Sequence, residues 1–309
     1  MGKIAFVFPG QGAQYVGMGK GFYDNEPEAK AVYEAASKAS GIDVEKLCFD
    51  ENSGMNINET QYTQIAMAAT ELAIFKVLEK NGVHFDYTAG HSLGEYAAIA
   101  AAGAMSVEDA CRLVRKRGMY MQEAVPTGGA MSAVLGMDDA TIKEVCEATE
   151  GIVSVANYNC PGQTVITGEE AAVKAAGEAL TAKGCKRVVA LKVSGPFHSA
   201  MMEPAGKKLA EELKTVAFTD PTVPYVANFT AEYVTSGSEI AGLLEKQISG
   251  SVQWIQTIDR LMKDGVDTFV EIGPGKTLAG FNKRISRDLK TINVDKYEDF
   301  AEVLAELKA

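Results

Sequence analysis

Ser92 sits in the middle of Gly90-His91-Ser92-Leu93-Gly94, and a serine framed this way is suited to nucleophilic attack. An attacking hydroxyl must stand clear of the backbone, at a sharp turn from strand into helix. Glycines on either side leave that turn the room a Cβ would take. A helix starting at Glu95 would aim its free N–H groups at the serine. An oxyanion formed there would meet the N–H of Leu93. The same pentapeptide also fits a plain glycine-rich helix start with a capping serine, so its surroundings decide between the two.

A serine nucleophile needs a base, and the chain has three histidines: His84, His91 and His198. His91 is the neighbour of the serine in the chain, and neighbours diverge at such a turn. His84 precedes the strand that leads to the turn. At roughly 3.3 Å per residue it should lie on the order of 20 Å away. His198 is left, in a loop containing Gly195 and Pro196, and serine before histidine is the order of the α/β-hydrolases. This elimination assumes a histidine base; a His198 that only shapes its turn also fits. No aspartate between Ser92 and His198 occupies an obvious loop position. A backbone carbonyl is therefore a candidate acceptor for the histidine. One further residue is out of pattern. Ala110, Val114, Met121 and Ala124 trace a helical stripe, and Arg117 falls inside it. An arginine on a buried face needs a carboxylate or an equivalent partner. Either an internal salt bridge supplies it, or the arginine is kept for a substrate carboxylate, which it can hold by two prongs.

The elements between these residues must bring them together. Residues 4–8 form a continuous apolar run, the pattern of a strand covered on both faces. It ends in Pro9-Gly10-Gln11-Gly12, a turn able to deliver backbone N–H groups to a site. Helices are predicted over 24–40, 63–80, 95–102 and 107–125, with a strand over 85–89 feeding the Ser92 turn. Pro126-Thr127-Gly128-Gly129 breaks the pattern. Strands are then predicted over 131–135, 153–158, 164–167 and 187–191, with helices over 140–148 and 170–183. That order is the split βαβ, ferredoxin-like arrangement. Beyond it come helices over 201–215, 238–249, 251–264 and 297–307, and strands over 223–229, 267–272 and 289–294. The fold class is α/β: an α/β-hydrolase-like core with a mostly parallel sheet (1–126 and 196–309), carrying an inserted ferredoxin-like α+β subdomain (127–195). A cleft between the two is a common place for a ligand. Lys276-Thr277 after Gly275 suggests a phosphate loop, but that motif needs a glycine where Val270 stands.

At 309 residues the chain can bury one large core, or a core with a smaller domain. The net charge of −11 argues against broad binding to nucleic acid or an anionic membrane. An acidic protein partner would need a local basic patch. No apolar run is long enough to span a membrane, and residues 3–8 enter a strand without a signal-peptide layout. The five cysteines are scattered with no C-x-x-C pair, which reads as reduced thiols in the cytoplasm, and no metal site is expected.

Several motifs stand in order: Phe8-Pro9-Gly10-Gln11-Gly12-Ala13-Gln14, then Gly90 to Glu95, then Arg117 with Met121-Gln122. Asn157-Tyr158-Asn159-Cys160-Pro161-Gly162-Gln163, Gly195-Pro196-Phe197-His198-Ser199 and Glu271-Ile272-Gly273-Pro274-Gly275 follow. With these the chain resembles malonyl-CoA:acyl-carrier-protein transacylases of fatty-acid synthesis, and the acyltransferase domains of polyketide synthases, over nearly its whole length. The resemblance implies that Ser92 is acylated and that His198 is its base. It implies that the backbone N–H groups of Gln11 and Leu93 form the oxyanion hole, and that Arg117 grips the free carboxylate of a malonyl group. Gln247 matches the residue whose main-chain carbonyl orients the histidine. Met121 and Asn159 are implied in binding substrate. Phe197 and Leu93 are of the type found in members that select malonyl over methylmalonyl. Where the family usually has Pro-Val ahead of the tryptophan segment, this chain has Ser251-Val252.

The implied activity moves malonyl from malonyl-CoA to the phosphopantetheine thiol of holo acyl carrier protein through a malonyl-serine. It implies no cofactor, and the enzyme is expected to be a cytoplasmic monomer. A serine thioesterase or hydrolase on a similar core, and an acyltransferase of a polyketide pathway, are the alternatives. Lys186, Arg187, Lys192, Lys283, Arg284 and Arg287 are candidates for meeting the carrier, against an ordinary solvated surface for most of them.

Overall fold

A computed structural model describes residues 2–193 and 195–308. Its strands among these residues are β1 (Lys3–Phe8), β2 (Tyr87–Gly90), β3 (Gly129–Leu135), β4 (Val153–Cys160), β5 (Gln163–Glu169), β6 (Arg187–Ala190), β7 (Tyr225–Val226), β8 (Tyr233–Val234), β9 (Val266–Ile272) and β10 (Lys290–Val294). The larger sheet has the order β10-β9-β1-β2-β7-β8. Its first five strands run parallel and β8 returns antiparallel to β7.

The apolar run of β1 lies near the middle of this sheet, and its alternation explains why no polar residue interrupts it. Ile4, Phe6 and Phe8 enter the main core, while Ala5 and Val7 enter a second cluster on the opposite face with Trp254, Ile258 and Leu278. A strand covered on both faces has no wet side to make polar. The main face carries the Thr60–Lys80 and Val107–Ala124 helices, which pack against each other. The first of these is buried on nearly every side, well beyond the single stripe its sequence suggests. The Gly94–Ala101 helix follows β2 directly and starts the buried segment next to Ser92.

The second sheet is antiparallel in the order β4-β5-β3-β6. Helices Asp139–Ala148 and Glu170–Ala182 pack on it through Ile142, Val145, Val173 and Leu180, closing a core separate from the first. This is the ferredoxin-like arrangement. The two parts are stitched together at β4. Tyr158 N donates to Val252 O at 2.9 Å and Val252 N to Ala156 O at 2.8 Å. The Ser251 hydroxyl donates to Val155 O at 2.6 Å. Serine in place of proline thus adds a bond to the seam.

Three predicted elements differ in the structure. The 24–40 helix is two helices, Lys20–Asn25 and Pro27–Ser40, because Glu26 before a proline is driven into an extended conformation. The 251–264 helix starts at Trp254, since Val252 is spent on β4. The strand over 223–229 shrinks to β7, and the residues past it form a turn into β8. A helix not predicted, Thr277–Ile285, follows the Gly273-Pro274-Gly275 turn. The Glu271 carboxylate accepts from Leu278 N and Ala279 N at 2.9 and 2.8 Å, satisfying N–H groups at the helix start from a neighbouring strand. The turn is structural, as the missing phosphate-loop glycine suggested.

Candidate active site

The turn at Ser92 is as sharp as its glycines suggest. A Cβ on Gly90 would stand 2.0 Å from the Gly94 carbonyl, and one on Gly94 would stand 2.3 Å from the Phe8 carbonyl oxygen. Ser92 itself takes a left-handed φ of 54°. Such a residue costs about 1–3 kcal/mol and persists where its surroundings fix it. Asn228, just past the end of β7, does the fixing. Its Nδ2 donates to Gly90 O at 2.5 Å and its Oδ1 accepts from Ser92 N at 2.7 Å.

His198 reaches the serine from the loop after β6, also with a left-handed φ, of 60°. The Ser92 hydroxyl donates to His198 Nε2 at 2.8 Å. The other ring nitrogen faces two carbonyl oxygens, Gln247 O at 2.9 Å and Gly250 O at 3.0 Å. Carbonyls only accept, so Nδ1 carries the proton and Nε2 presents its lone pair to the hydroxyl. No carboxylate is needed to set that tautomer. Burial, helped by the nearby Arg117 charge, pulls the His198 pKa from 6.5 down to about 3. The imidazole is therefore neutral across the physiological range, with its Nε2 lone pair open to the serine proton. A base that stays neutral in acid moves the acid limb of the rate profile. kcat/KM should not fall as the pH is lowered from about 7 to about 5, where an ordinary histidine of pKa near 6.5 would lose most of its activity. A limb centred near 6.5 in initial-rate measurements would refute this.

Arg117 arrives from the Val107–Ala124 helix and is 1% exposed. Its partners are all neutral. Nη1 donates to Gln64 Oε1 at 2.8 Å, and Nη2 to Ser92 Oγ at 3.1 Å and to Gln247 Oε1 at 2.9 Å. Its Nε has no partner among the described residues. Of the two readings open from the sequence, the internal salt bridge is absent among the described residues. Burial lowers the pKa of the guanidinium, against the pull of Tyr96 and Glu95. It nonetheless stays charged, as arginine does.

The space in front of Ser92 is a cavity of about 120 Å³ bounded by Gln11, Leu93, Met121, Phe197, His198 and Arg117 among others. The backbone N–H groups of Gln11 and Leu93 donate to no protein group among the described residues. Met131, Leu191 and Val193, in or beside the second sheet, form the far wall. Asn159 departs from its expected place. Its Oδ1 accepts from His91 Nε2 at 2.9 Å, and Asn157, two residues earlier on β4, lines the cavity instead. His91 diverges from the serine as anticipated, its ring packed beside Trp254 and Phe281. His84 lies exposed beside Asp86, before β2. Gln247 lies behind Arg117, bonded through both its carbonyl to His198 and its side chain to the guanidinium.

Gln64 and Asn228 went unnoticed in the sequence. Gln64 precedes Ala68 by four residues, so it falls on the apolar stripe of its helix, the same signal that exposed Arg117. Asn228 follows a strand of a parallel sheet, at the carboxyl end where such sheets bind ligands. Of the candidate basic residues, Arg284 is occupied, donating to Gln163 Oε1 at 2.7 Å and Pro161 O at 2.9 Å.

A serine raised on a strand-to-helix turn, bonded to a neutral histidine and facing a small cavity, defines an α/β-hydrolase-like core built for acyl chemistry. The acyl transferase domain family matches residues 5–297, and the chain belongs to it. The malonyl CoA-acyl carrier protein transacylase of Bacillus subtilis is 44% identical, with 100% of this chain and 98% of the relative covered. The crystal structure of the malonyl CoA-acyl carrier protein transacylase of Clostridium perfringens superposes with a TM-score of 0.95 at 43% identity, covering 99% of this chain and 97% of that one. A malonyl-transacylase solved in complex with a holo type II PKS acyl-carrier protein superposes with a TM-score of 0.94 at 38% identity, covering 98% and 99% of the two chains.

Proposed function

We propose that the chain transfers malonyl from malonyl-CoA to the phosphopantetheine thiol of an acyl carrier protein, by way of a malonyl ester on Ser92. The observation that carries this is Arg117: a buried cation with neutral partners, one of them the Ser92 hydroxyl at 3.1 Å. In a malonyl thioester the carboxylate carbon is two bonds from the carbonyl under attack. A guanidinium touching the nucleophile is therefore within reach of that carboxylate, and a two-pronged contact fixes the acyl group while the serine attacks.

Each half-reaction then follows from the positions. His198 Nε2 takes the Ser92 proton as Oγ bonds to the thioester carbon. The oxygen that gains the charge turns to the N–H groups of Leu93 and Gln11, each donor worth about 3 kcal/mol in such sites. The C–S bond breaks, and the imidazolium passes its proton to the departing CoA thiolate, which leaves as the thiol. The carrier thiol enters the same space, gives its proton to His198, and reverses the sequence. The two acyl carriers are the substrates, and no step asks for a cofactor. The relatives named as acting on malonyl-CoA and acyl carrier protein support the substrate pair. The complex with a type II PKS acyl-carrier protein supports a carrier protein as the acceptor. We place the enzyme in the cytoplasm as a monomer. Among the described residues no helix is long and apolar enough to cross a membrane.

Intact-protein mass spectrometry tests the reading. Malonyl-CoA should add one malonyl group, and holo carrier protein should remove it and appear malonylated. Release of free malonate without acceptor, as fast as transfer, would mark a hydrolase instead. Phe197 lines the cavity next to His198. Phe197→Ser should open room for an α-methyl group and raise methylmalonyl transfer relative to malonyl by about tenfold, the scale of one methyl in a packed pocket. A competition assay with both thioesters reads this, and an unmoved ratio would remove Phe197 from the specificity wall.

A further inference from the structure

Glu95 is a buried carboxyl group that the transfer chemistry leaves unused. It lies three residues past the serine, in the first turn of the Gly94–Ala101 helix. Its Oε2 accepts from Gln247 Nε2 at 2.7 Å and from Asn228 N at 3.2 Å. The other end of the same Gln247 amide accepts from Arg117 Nη2 at 2.9 Å. One amide therefore separates a buried carboxyl from a buried guanidinium. Its orientation is fixed by both, because an amide N–H must face the carboxylate and the amide oxygen must face the cation. Gln247 Nε2 also donates to Ser92 O at 2.7 Å, which ties this relay to the nucleophile's own backbone.

We propose that Glu95 is a positioning residue that balances charge: through the Gln247 amide it steadies Arg117 in the empty site, and it takes up one proton from solvent when a carboxylated acyl group docks on Arg117. The inference rests on the malonyl reading above. The empty pocket holds one cation and one carboxylate at the ends of the amide. A malonyl carboxylate makes a second anion for the same cation, and two anions sharing one cation in a buried space raise the cost of keeping both ionised. The incoming carboxylate has the direct contact, so Glu95 is the group that yields. The groups facing Glu95 are Arg117 from the Val107–Ala124 helix, Tyr96 on its own helix and Tyr225 from β7, with the amides of Gln247 and Asn228. Burial already lifts the Glu95 pKa from 4.5 to about 7, against the pull of Gln247, Asn228 and the Arg117 charge. A modest further push suffices to keep it protonated.

The sign follows from linkage. A proton taken up on docking makes malonyl binding favourable at low pH, and the advantage is lost as the pH rises through the loaded-state pKa. Acetyl-CoA brings no carboxylate, and it uses the same serine, histidine and carrier thiol. The ratio of malonyl to acetyl kcat/KM therefore cancels every other titration. In the native enzyme this ratio should fall about tenfold between roughly pH 6 and roughly pH 9, the equivalent of about one unit of pKa shift on docking. Glu95→Gln keeps the shape and can still accept from Gln247 Nε2. Its ratio should be flat, equal to the native value near the acid end and about tenfold above it near the alkaline end. A merely structural Glu95 would lower both activities together and leave the slope in place. A flat native ratio overturns the inference by itself, even if the variant fails to fold, and so does a Glu95→Gln enzyme that keeps the slope. Native enzyme that transfers no malonyl overturns the functional reading and this inference with it, whereas brisk malonyl transfer with a flat ratio overturns this inference alone.

Discussion

Ser92→Ala will leave the chain at its unmodified mass after incubation with malonyl-CoA, and transfer to the carrier will fall by about a millionfold, as when a serine nucleophile is removed from a hydrolase-type site. The size of the effect follows from the geometry. Ser92 Oγ is the group that meets His198 Nε2 at 2.8 Å and Arg117 Nη2 at 3.1 Å in front of the cavity. Alanine removes the bond-forming atom and nothing that supports the fold, since the Ser92 N–H still donates to Asn228 and its carbonyl still accepts from Gln247. A protein that folds normally and still gains a malonyl group would dispose of Ser92 as the nucleophile.

Arg117→Ala will exchange one selectivity for another. Removing one partner from a buried ion pair costs about 3–5 kcal/mol, so malonyl kcat/KM should drop by about two to nearly four orders of magnitude. Acetyl lacks the carboxylate and should keep most of its smaller rate, so the malonyl-to-acetyl ratio falls by a similar factor. Surviving acetyl transfer also shows that Ser92 and His198 are still in register, which separates a lost clamp from a lost fold. An unchanged ratio would mean that the buried cation does something other than hold the acyl carboxylate.

What was legible in the sequence is what short stretches dictate. The uninterrupted 4–8 run forced a strand covered twice over, and the two glycines around Ser92 forced the turn. Arg117 announced itself because a charge on an apolar stripe is conspicuous. Asn228, Gln64 and Glu95 were not legible because each acts on partners far away in the chain. Asn228 clamps a turn 136 residues earlier, and Gln64 meets an arginine 53 residues later. Their own neighbourhoods give at most a hint, Gln64 by its place on an apolar stripe and Asn228 by following a parallel strand, and they name no partner. The Thr277–Ile285 helix was missed for a similar reason, since groups at its start are satisfied by Glu271 on β9 rather than by a residue in the usual capping place. An acid in the first turn of a helix, as Glu95 is, is favourable on general grounds. That remains true of it, but says nothing of the amide it holds.

Residues 247–252 serve two masters. Gln247 and Gly250 offer the carbonyls that aim the imidazole, and Ser251 and Val252, next along, are fastened to the outer strand of the second sheet. The smaller lobe is thus more than a lid over the reaction. A carrier that pressed on that lobe would pull on the same short ribbon that holds the base in line. Excising 127–195 to make a minimal enzyme would therefore leave the serine on its turn with a histidine free to swing.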